Sequence, residues 1–265
     1  MRMKIIPLGT NGFFSSFNRQ TACYAIAYNG RLIILDAGSG IFRFAEPDGK
    51  RLLSGISKID LFLSHYHLDH TFGFYAAFKL FAGKQVTVYG SHEKQVFSEF
   101  VKLKHFPINY YDAHKNFKWE TLVEGLHRCF DYKVLVRKQL HRGEGSLAFR
   151  FEFPNGKQLA YVTDSEPTIK SINFIKGVNL LLHEHEKAGK KSKFSKKAKL
   201  ENLYEDGHVT TEGAALIAKK ANVKKLYLIH HNPFLDESAL KNELKKAKKI
   251  FKESHLTKDL EETEF

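Results

Sequence analysis

Residues 63 to 70 read L-S-H-Y-H-L-D-H and overlap the end of the apolar run I-D-L-F-L at 59 to 63. Three histidines and one aspartate therefore fall within the six residues from His65 to His70. The apolar run predicts a buried strand, and the polar residues then lie in the loop that leaves it. Such a loop brings several ligand atoms into a small volume. Imidazole and carboxylate groups in this mixture suit zinc first, and manganese or iron next.

The composition limits the kinds of protein that this chain can be. With 265 residues and 43% apolar content, we expect one domain over residues 1–265 with a large core. Cys23 and Cys129 are the only cysteines and form no C-x-x-C pair, so a metal site here would use nitrogen and oxygen ligands. The formal charge of +13 favours anionic partners, although a solvated lysine-rich surface gives the same value.

The N-terminal apolar run is interrupted at Pro7 and Gly9, and it lacks the continuous apolar core of a signal peptide. No other apolar stretch is long enough to span a bilayer. We therefore expect a soluble, cytoplasmic protein without a membrane partner.

The remaining pattern predicts strands and helices in alternation. The predicted early strands are Lys4 to Leu8, Cys23 to Tyr28, Arg31 to Leu35 and Ile59 to Leu63. Helical spacing follows His70, returns from Ser91 to about Lys104, and recurs after a predicted cap at Thr210 and near the C-terminus. Residues 132 to 164 are rich in predicted strands, with a turn at P-N-G-K, 154 to 157. The pattern favours an α/β fold in which helices cover the sheets.

The sequence resembles the metallo-β-lactamase superfamily over nearly its whole length, because H-x-H-x-D-H after a strand is the signature of that family. L-D-A-G at 35 to 38 resembles a second family motif, in which Asp36 would brace the metal loop. The resemblance implies a metallo-β-lactamase-like four-layer αβ/βα sandwich with a dinuclear site. The metal ligands that it implies are His65, His67, Asp69, His70, His141, Asp164 and His230.

In this assignment His65, His67 and His141 bind the first metal, Asp69, His70 and His230 bind the second, and Asp164 bridges them. Two divalent ions, two aspartates and one bridging hydroxide leave a charge of about +1, which attracts an anion. Metal binding lowers the pKa of the bridging water toward ~7, so hydrolysis is the expected reaction. Asp69 is counted as catalytic because its loss would remove the second metal.

Two further stretches, L-L-H-E-H-E at 181 to 186 and G-H-V-T-T-E-G-A-A at 207 to 215, resemble motifs of the tRNase Z and cyclic phosphodiesterase branch. By that resemblance Glu184 holds His208, and His208 stabilises the transition state or protonates the leaving oxygen. The chain departs from the motif at His185, Glu186 and Val209. These departures leave open a purely structural role for Glu184 and His208.

The spacing between His141 and Asp164 bears on the substrate. Only 22 residues intervene, and two strands and a turn use them, so the long tRNA-binding arm of tRNase Z enzymes has no room. The resemblance is thus to an armless branch, and we expect a phosphodiesterase acting on cyclic nucleotides, cyclic phosphates or short nucleic acid. Homodimers are frequent in that branch.

The segment from Lys187 to Lys199 contains seven lysines and no acidic residue, between Glu184 and His208. It either contacts a nucleic acid backbone or is simply a solvated loop. Two other functions also stay open. One is a carbon-centre hydrolase of the same superfamily, such as a lactonase or thioesterase, and the other is a nucleic acid-binding protein with a vestigial metal site.

Overall fold

The structure is a computed structural model, and it describes residues 3–92, 110–141, 143, 145–166, 168–186, 204–205 and 207–265. Its first sheet has seven strands in the order β16-β1-β2-β3-β4-β5-β6. These strands are β1 (Lys4–Gly9), β2 (Cys23–Tyr28), β3 (Arg31–Leu35), β4 (Lys58–Phe62), β5 (Gln85–Gly90), β6 (Lys118–Thr121) and β16 (Thr263–Glu264). From β3 to β6 the neighbouring strands are parallel, which requires crossover connections.

The second sheet also has seven strands, in the order β15-β14-β11-β10-β9-β8-β7. They are β7 (Gly125–Cys129), β8 (Tyr132–Gln139), β9 (Ser146–Glu152), β10 (Gln158–Val162), β11 (Leu180–Glu184), β14 (Lys225–Ile229) and β15 (Ser254–Leu256). A separate two-stranded ribbon pairs β12 (Tyr204–Glu205) with β13 (His208–Val209). The strands β10, β11, β14 and β15 are parallel, whereas β7 to β10 form antiparallel hairpins.

The helices cover the outer faces of the two sheets. The described α-helices are α1 (Pro47–Leu53), α2 (Leu68–Thr71), α3 (Phe74–Leu80), α4 (Tyr110–Ala113), α5 (Ile169–Phe174), α6 (Thr211–Lys220) and α7 (Glu237–Ile250). One apolar cluster fills the space between the sheets, and two others pack a sheet against helices, around Phe74 and around Ala214. Three interlayer cores separate four layers, as expected of an αβ/βα sandwich.

Local chemistry explains several element boundaries. Asn29 and Gly30, with φ of 46° and 72°, form the turn between β2 and β3, because a tight hairpin needs two left-handed residues. The Thr210 hydroxyl accepts a hydrogen bond of 3.1 Å from the Gly213 backbone nitrogen and begins α6. Asp236 caps α7 in the same way.

The expected early strands and the hairpin turn at 154 to 157 are confirmed within about one residue. The helix predicted from Ser91 to about Lys104 falls largely outside the described residues, which end at residue 92 on that side. Among the described residues, no helix is both long enough and apolar enough to cross a bilayer. The single domain over 1–265 stays a prediction.

A buried carboxylate joins the two sheets. Asp60 on β4 is fully buried, accepts two hydrogen bonds of 2.8 and 2.7 Å from Arg31, and accepts another of 2.9 Å from the Tyr132 hydroxyl on β8. A buried charge needs a partner of opposite charge. The middle of β4, the strand that leads to the histidine-rich loop, is thus fixed to the opposite sheet.

We predict that Arg31→Met lowers the free energy of unfolding by about 3 kcal/mol, because it leaves the Asp60 carboxylate buried without its cation. Tyr132→Phe removes one hydrogen bond to a charged group and should lower it by about 1.5 kcal/mol. Urea denaturation of both variants measures the difference. The exposed Arg128 on β7 provides the control, since Arg128→Met should have little effect. Equal, small effects of all three changes would contradict the role of Asp60.

Candidate metal centre

The candidate site lies where parallel strands of both sheets end. Strands β3, β4, β10, β11 and β14 end at or immediately before Asp36, the 64 to 70 loop, Asp164, Glu184 and His230. Strand β8, which is antiparallel to β9 and therefore runs with β10, ends before His141. Ligands and active sites collect at the carboxyl ends of parallel strands. The sandwich thus places residues that are far apart in sequence at one edge.

The first group of ligand atoms belongs to three histidines. The atoms that His65, His67 and His141 offer lie within 4.8 Å of one another, and His141 Nε2 is 3.3 Å from His67 Nδ1. His65 Nδ1 contacts the Ser64 hydroxyl at 3.0 Å, whereas its buried Nε2 has no hydrogen-bond partner among the described residues. Burial lowers the pKa of His65 well below its ordinary value, so the ring is neutral, as a metal ligand must be. The group fits a divalent ion.

The second group contains Asp69, His70, His230 and Asp164. His70 Nε2 is 3.3 Å from Asp69 Oδ2, 3.2 Å from Asp164 Oδ2 and 3.2 Å from His230 Nε2. His230 Nε2 is 3.2 Å from Asp69 Oδ2 and 3.4 Å from Asp164 Oδ2. The centre of a regular tetrahedron with such edges is about 2.0 Å from each corner, which is the usual distance from zinc to nitrogen or oxygen. Each triplet of donor atoms, from His70 and His230 with either Asp69 or Asp164, therefore has the spacing of three corners of such a tetrahedron.

Asp164 connects the two groups. Its Oδ2 belongs to the second group, while its Oδ1 is 3.7 Å from His141 Nε2 of the first. One carboxylate oxygen thus faces each group, as a bridging ligand requires.

The charges of the second group also fit a cation. Burial alone would lower the pKa values of His70 and His230, but the charges of Asp69 and Asp164 outweigh it and raise both well above the ordinary value. The same interactions hold the pKa of Asp69 well below its ordinary value. The carboxylates therefore stabilise positive charge at this place, and a divalent ion would supply that charge.

Asp36 holds the loop from Ser64 to His70 in place through hydrogen bonds. Its carboxylate contacts His70 Nδ1 at 2.7 Å and accepts hydrogen bonds from the Ser64 backbone nitrogen, at 2.7 Å, and from the Ser64 hydroxyl, at 2.8 Å. The Tyr161 hydroxyl, from the opposite sheet, donates a fourth bond of 2.6 Å. A histidine that binds metal through one nitrogen is oriented by a partner at the other, and Asp36 is that partner for His70.

The backbone is strained at three of these residues. Asp36, Asp164 and His230 follow the ends of β3, β10 and β14 and have φ of 58°, 45° and 54°. This left-handed region costs a residue with a side chain roughly 1 kcal/mol or more, and such residues cluster at functional sites. The conformation turns each side chain into the site at the point where its strand ends.

Two glycines allow the close approach of backbone to the site. A Cβ atom at Gly12 would lie 2.2 Å from Cε1 of His230, and one at Gly38 would lie 2.1 Å from the carbonyl oxygen of Asp69. Neither position has room for a side chain. Gly38, the last residue of L-D-A-G, therefore packs under the loop that carries Asp69, and Gly12 packs against His230.

A third group lies beside the bridging aspartate. His208 Nδ1 is 2.8 Å from Glu184 Oε2, 3.2 Å from Glu186 Oε2 and 3.7 Å from Asp164 Oδ1. Burial lowers the pKa of His208, but Glu184, with the other carboxylates, raises it to about 9. Glu184 is fully buried, and its other oxygen accepts a hydrogen bond of 2.6 Å from the Ser165 backbone nitrogen. His208 is thus held by its Nδ1, which leaves Nε2 for another partner.

The structure brings together every site residue that the sequence predicted. These residues are His65, His67, Asp69, His70, His141, Asp164, Glu184, His208 and His230. The segment from Lys187 to Lys199 lies outside the described residues. Sequence reasoning did not assign Glu186, whose Oε2 is also 3.2 Å from His230 Nδ1. Its position two residues after Glu184 indicates the same side of the chain, because alternate side chains of an extended chain point the same way.

A protein-family model described as the beta-lactamase superfamily domain matches residues 31–231. Ribonuclease Z of Archaeoglobus fulgidus is 23% identical, over 98% of this chain and 96% of its own length. The metallo-beta-lactamase fold protein YhfI from Bacillus subtilis superposes with a TM-score of 0.73 at 20% identity, covering 100% of this chain and 99% of its own. A diphosphatase from the PhnP family superposes with a TM-score of 0.71 at 18% identity, covering 100% and 98%.

These likenesses confirm the fold and the resemblance drawn from the motifs. The matched model begins at β3, ends just after His230, and so contains every residue of the three groups above. The chain therefore belongs to the beta-lactamase superfamily and has its metallo-β-lactamase fold.

Proposed function

We propose that the protein is a divalent-metal-dependent phosphodiesterase that acts on cyclic nucleotides, cyclic phosphates or short nucleic acid. The observation that carries this proposal is His208, held at 2.8 Å by the buried Glu184 and 3.7 Å from the bridging Asp164. An imidazolium at this position is placed to donate a proton to the oxygen atom that leaves phosphorus. The names of the relatives, ribonuclease Z and diphosphatase, give independent support for phosphate ester chemistry.

In this proposal His65, His67 and His141 would hold one ion, Asp69, His70 and His230 would hold a second, and Asp164 would contribute to both. We propose zinc in both places, because imidazole and carboxylate ligands suit it, with manganese or iron as the alternatives. When bound, divalent ions supply Lewis acidity, which polarises phosphate oxygens and lets a water ionise near neutral pH.

The protein's own residues then bind, orient and protonate the substrate. Ser64 and Asp36 fix the rings of His65 and His70, so that the donor atoms do not have to reorganise when an anion arrives. Glu184 keeps the Nδ1 side of His208 occupied, and the free Nε2 then delivers a proton to the leaving oxygen. The positive charge on His208 also attracts the phosphate before the bond breaks.

The short chain segment between His141 and Asp164 supports a small substrate. Strands β9 and β10 and their turn take up most of this segment, which leaves no room for a long tRNA-binding arm. The same site chemistry fits carbon-centre esters, but none of the described contacts favours them over phosphate.

We also propose that the segment from Lys187 to Lys199 contributes to nucleic acid binding and that the protein forms a homodimer.

The first prediction concerns metal content. The purified protein should hold two divalent ions per chain, because two groups of described side chains have metal-ligand spacing. Elemental analysis of protein prepared without chelators measures the ratio of metal to chain. The proposal would be refuted if the purified protein contained no transition metal and bound none on reconstitution.

A second prediction separates binding from proton transfer. Asp69→Ala should lose one ion and with it hydrolysis of bis-p-nitrophenyl phosphate. His208→Ala should keep both ions and lose rate by about two to four decades, the range for a proton-transfer group. His127→Ala, on the edge strand β7, is the matched control and should change neither quantity. Loss of metal in both His208→Ala and Asp69→Ala would show that His208 is a ligand.

A third prediction concerns Glu186, which we propose as a positioning residue for His230. Its carboxylate lies at the ring nitrogen opposite the metal-facing one, where it orients the ring and raises its basicity. Glu186→Ala should weaken binding of the second ion by about 10- to 100-fold. Glu186→Gln should be intermediate, because an amide oxygen keeps the polar contact with His230 Nδ1 but lacks the negative charge.

Competition with a chromophoric chelator measures this affinity without reference to turnover. Glu212→Ala, which removes a similar charge from the first turn of α6, should leave the affinity at the parent value. Unchanged metal affinity in Glu186→Ala would exclude the positioning role.

A further inference from the structure

Large apolar side chains are exposed on the side of the site where Asp69 lies. The exposed fractions are 70% for Phe13, 55% for Leu68, 50% for Phe72 and 74% for Phe234. The Phe13 ring meets Phe14 edge to face at 5.4 Å, and Phe14 meets Phe234 in the same manner at 5.3 Å. Contiguous exposed apolar groups in a protein with many charged residues mark binding surfaces.

Part of this surface forms an open cavity of about 240 Å³. Phe13, Phe14, Leu68 and Phe72 form its walls, and Ser15 and Ser39 contribute hydroxyl groups. The two hydroxyl oxygens are 2.8 Å apart. We name this space the Phe13 cavity. Both hydroxyl groups donate to Gln20 Oε1, at 3.0 and 2.8 Å, so the walls that remain for a ligand are apolar, as in most small-ligand sites.

The Phe13 cavity adjoins the candidate metal centre directly. Asp69 lines it, and the Phe13 backbone nitrogen donates a hydrogen bond of 2.8 Å to Asp69 Oδ2, the same oxygen that faces His70 and His230. A phosphate held between the two groups of ligands therefore has one substituent within reach of the cavity.

Folding alone does not explain the aromatic loop. Phe13 and Phe17 have left-handed φ values of 58° and 49° and expose their rings to water, so each carries a strained backbone without a buried side chain. The loop is nevertheless held in place. Buried Arg19 donates hydrogen bonds to the Asn11 side chain at 2.6 Å and to the Leu235 carbonyl at 2.5 Å.

We propose that the Phe13 cavity binds the base of a nucleotide substrate, whose phosphodiester lies at the metal centre. This proposal rests on the proposed phosphodiesterase function. A base offers flat faces to the aromatic walls, and the cavity volume suits one ring system rather than a whole nucleotide. Because the walls are already fixed by the loop's hydrogen bonds, little order is lost on binding. Substrates with a base are therefore preferred over sugar phosphates without one.

The test compares thymidine 5′-p-nitrophenyl phosphate with 1,2-dideoxyribose 5′-p-nitrophenyl phosphate, which share the leaving group and the sugar and differ only in the base. The parent protein should prefer the nucleoside ester in kcat/KM by about tenfold or more, the scale of one stacked base. Phe13→Ala and Phe72→Ala should each reduce this preference severalfold. Phe130→Ala is the matched control, because Phe130 is 62% exposed and has a left-handed φ of 56° in the β7–β8 turn.

Equilibrium binding distinguishes failure of this proposal from failure of the proposed function. The fluorescence of 2-aminopurine riboside 5′-monophosphate should be quenched by the parent and by Phe130→Ala, and less by Phe13→Ala and Phe72→Ala at equal concentrations. Quenching without any hydrolysis would keep the base site and refute the phosphodiesterase. Hydrolysis with the same preference in all variants would refute the base site. Sedimentation showing a parent dimer that dissociates in Phe13→Ala and Phe72→Ala would assign the surface to a second copy instead and overturn the proposal.

Discussion

The convergence of Asp69, His70, Asp164 and His230 on one point is the constraint on which the rest of the site depends. Their donor atoms are separated by 3.2 to 3.4 Å in the five measured pairs, although they come from both sheets. The carboxylates of Asp69 and Asp164 each lie within 3.4 Å of both ring nitrogens, so they place two negative charges in one small volume that needs positive charge. The fold has to hold the groups together until that charge is provided, and its buried polar contacts serve this purpose.

Those contacts cross from one sheet to the other. The Tyr161 hydroxyl reaches Asp36, after the end of β3, at 2.6 Å, and the Tyr132 hydroxyl reaches Asp60, in the middle of the neighbouring β4, at 2.9 Å. The apolar cluster between the sheets includes both tyrosine rings. The sheets therefore cannot slide over each other without breaking buried hydrogen bonds, and the spacing of the metal ligands is fixed by the packing of the core.

The two proposals concern opposite sides of Asp69. One of its oxygens faces the histidines of the second group and also accepts the backbone hydrogen bond of Phe13, so the metal ligand and the aromatic loop share a contact. Gly12 brings that loop against His230, where no side chain would fit. In the two proposals, the backbone of Gly12 and Phe13 therefore connects the candidate metal centre with the Phe13 cavity.

The sequence by itself determined which side chains are candidate ligands, their order and the strands that present them, because H-x-H-x-D-H and the later His, Asp and His each follow an apolar run whose period can be read locally. It also indicated Glu184 and His208, as part of a motif. Only the tertiary structure decided that Glu186 contacts His230 and His208, and that exposed phenylalanines adjoin Asp69. These contacts join residues 22 to 56 positions apart, and local periodicity carries no information on such distances. They depend on how the strand ends of the two sheets meet, which is set by packing of the whole core.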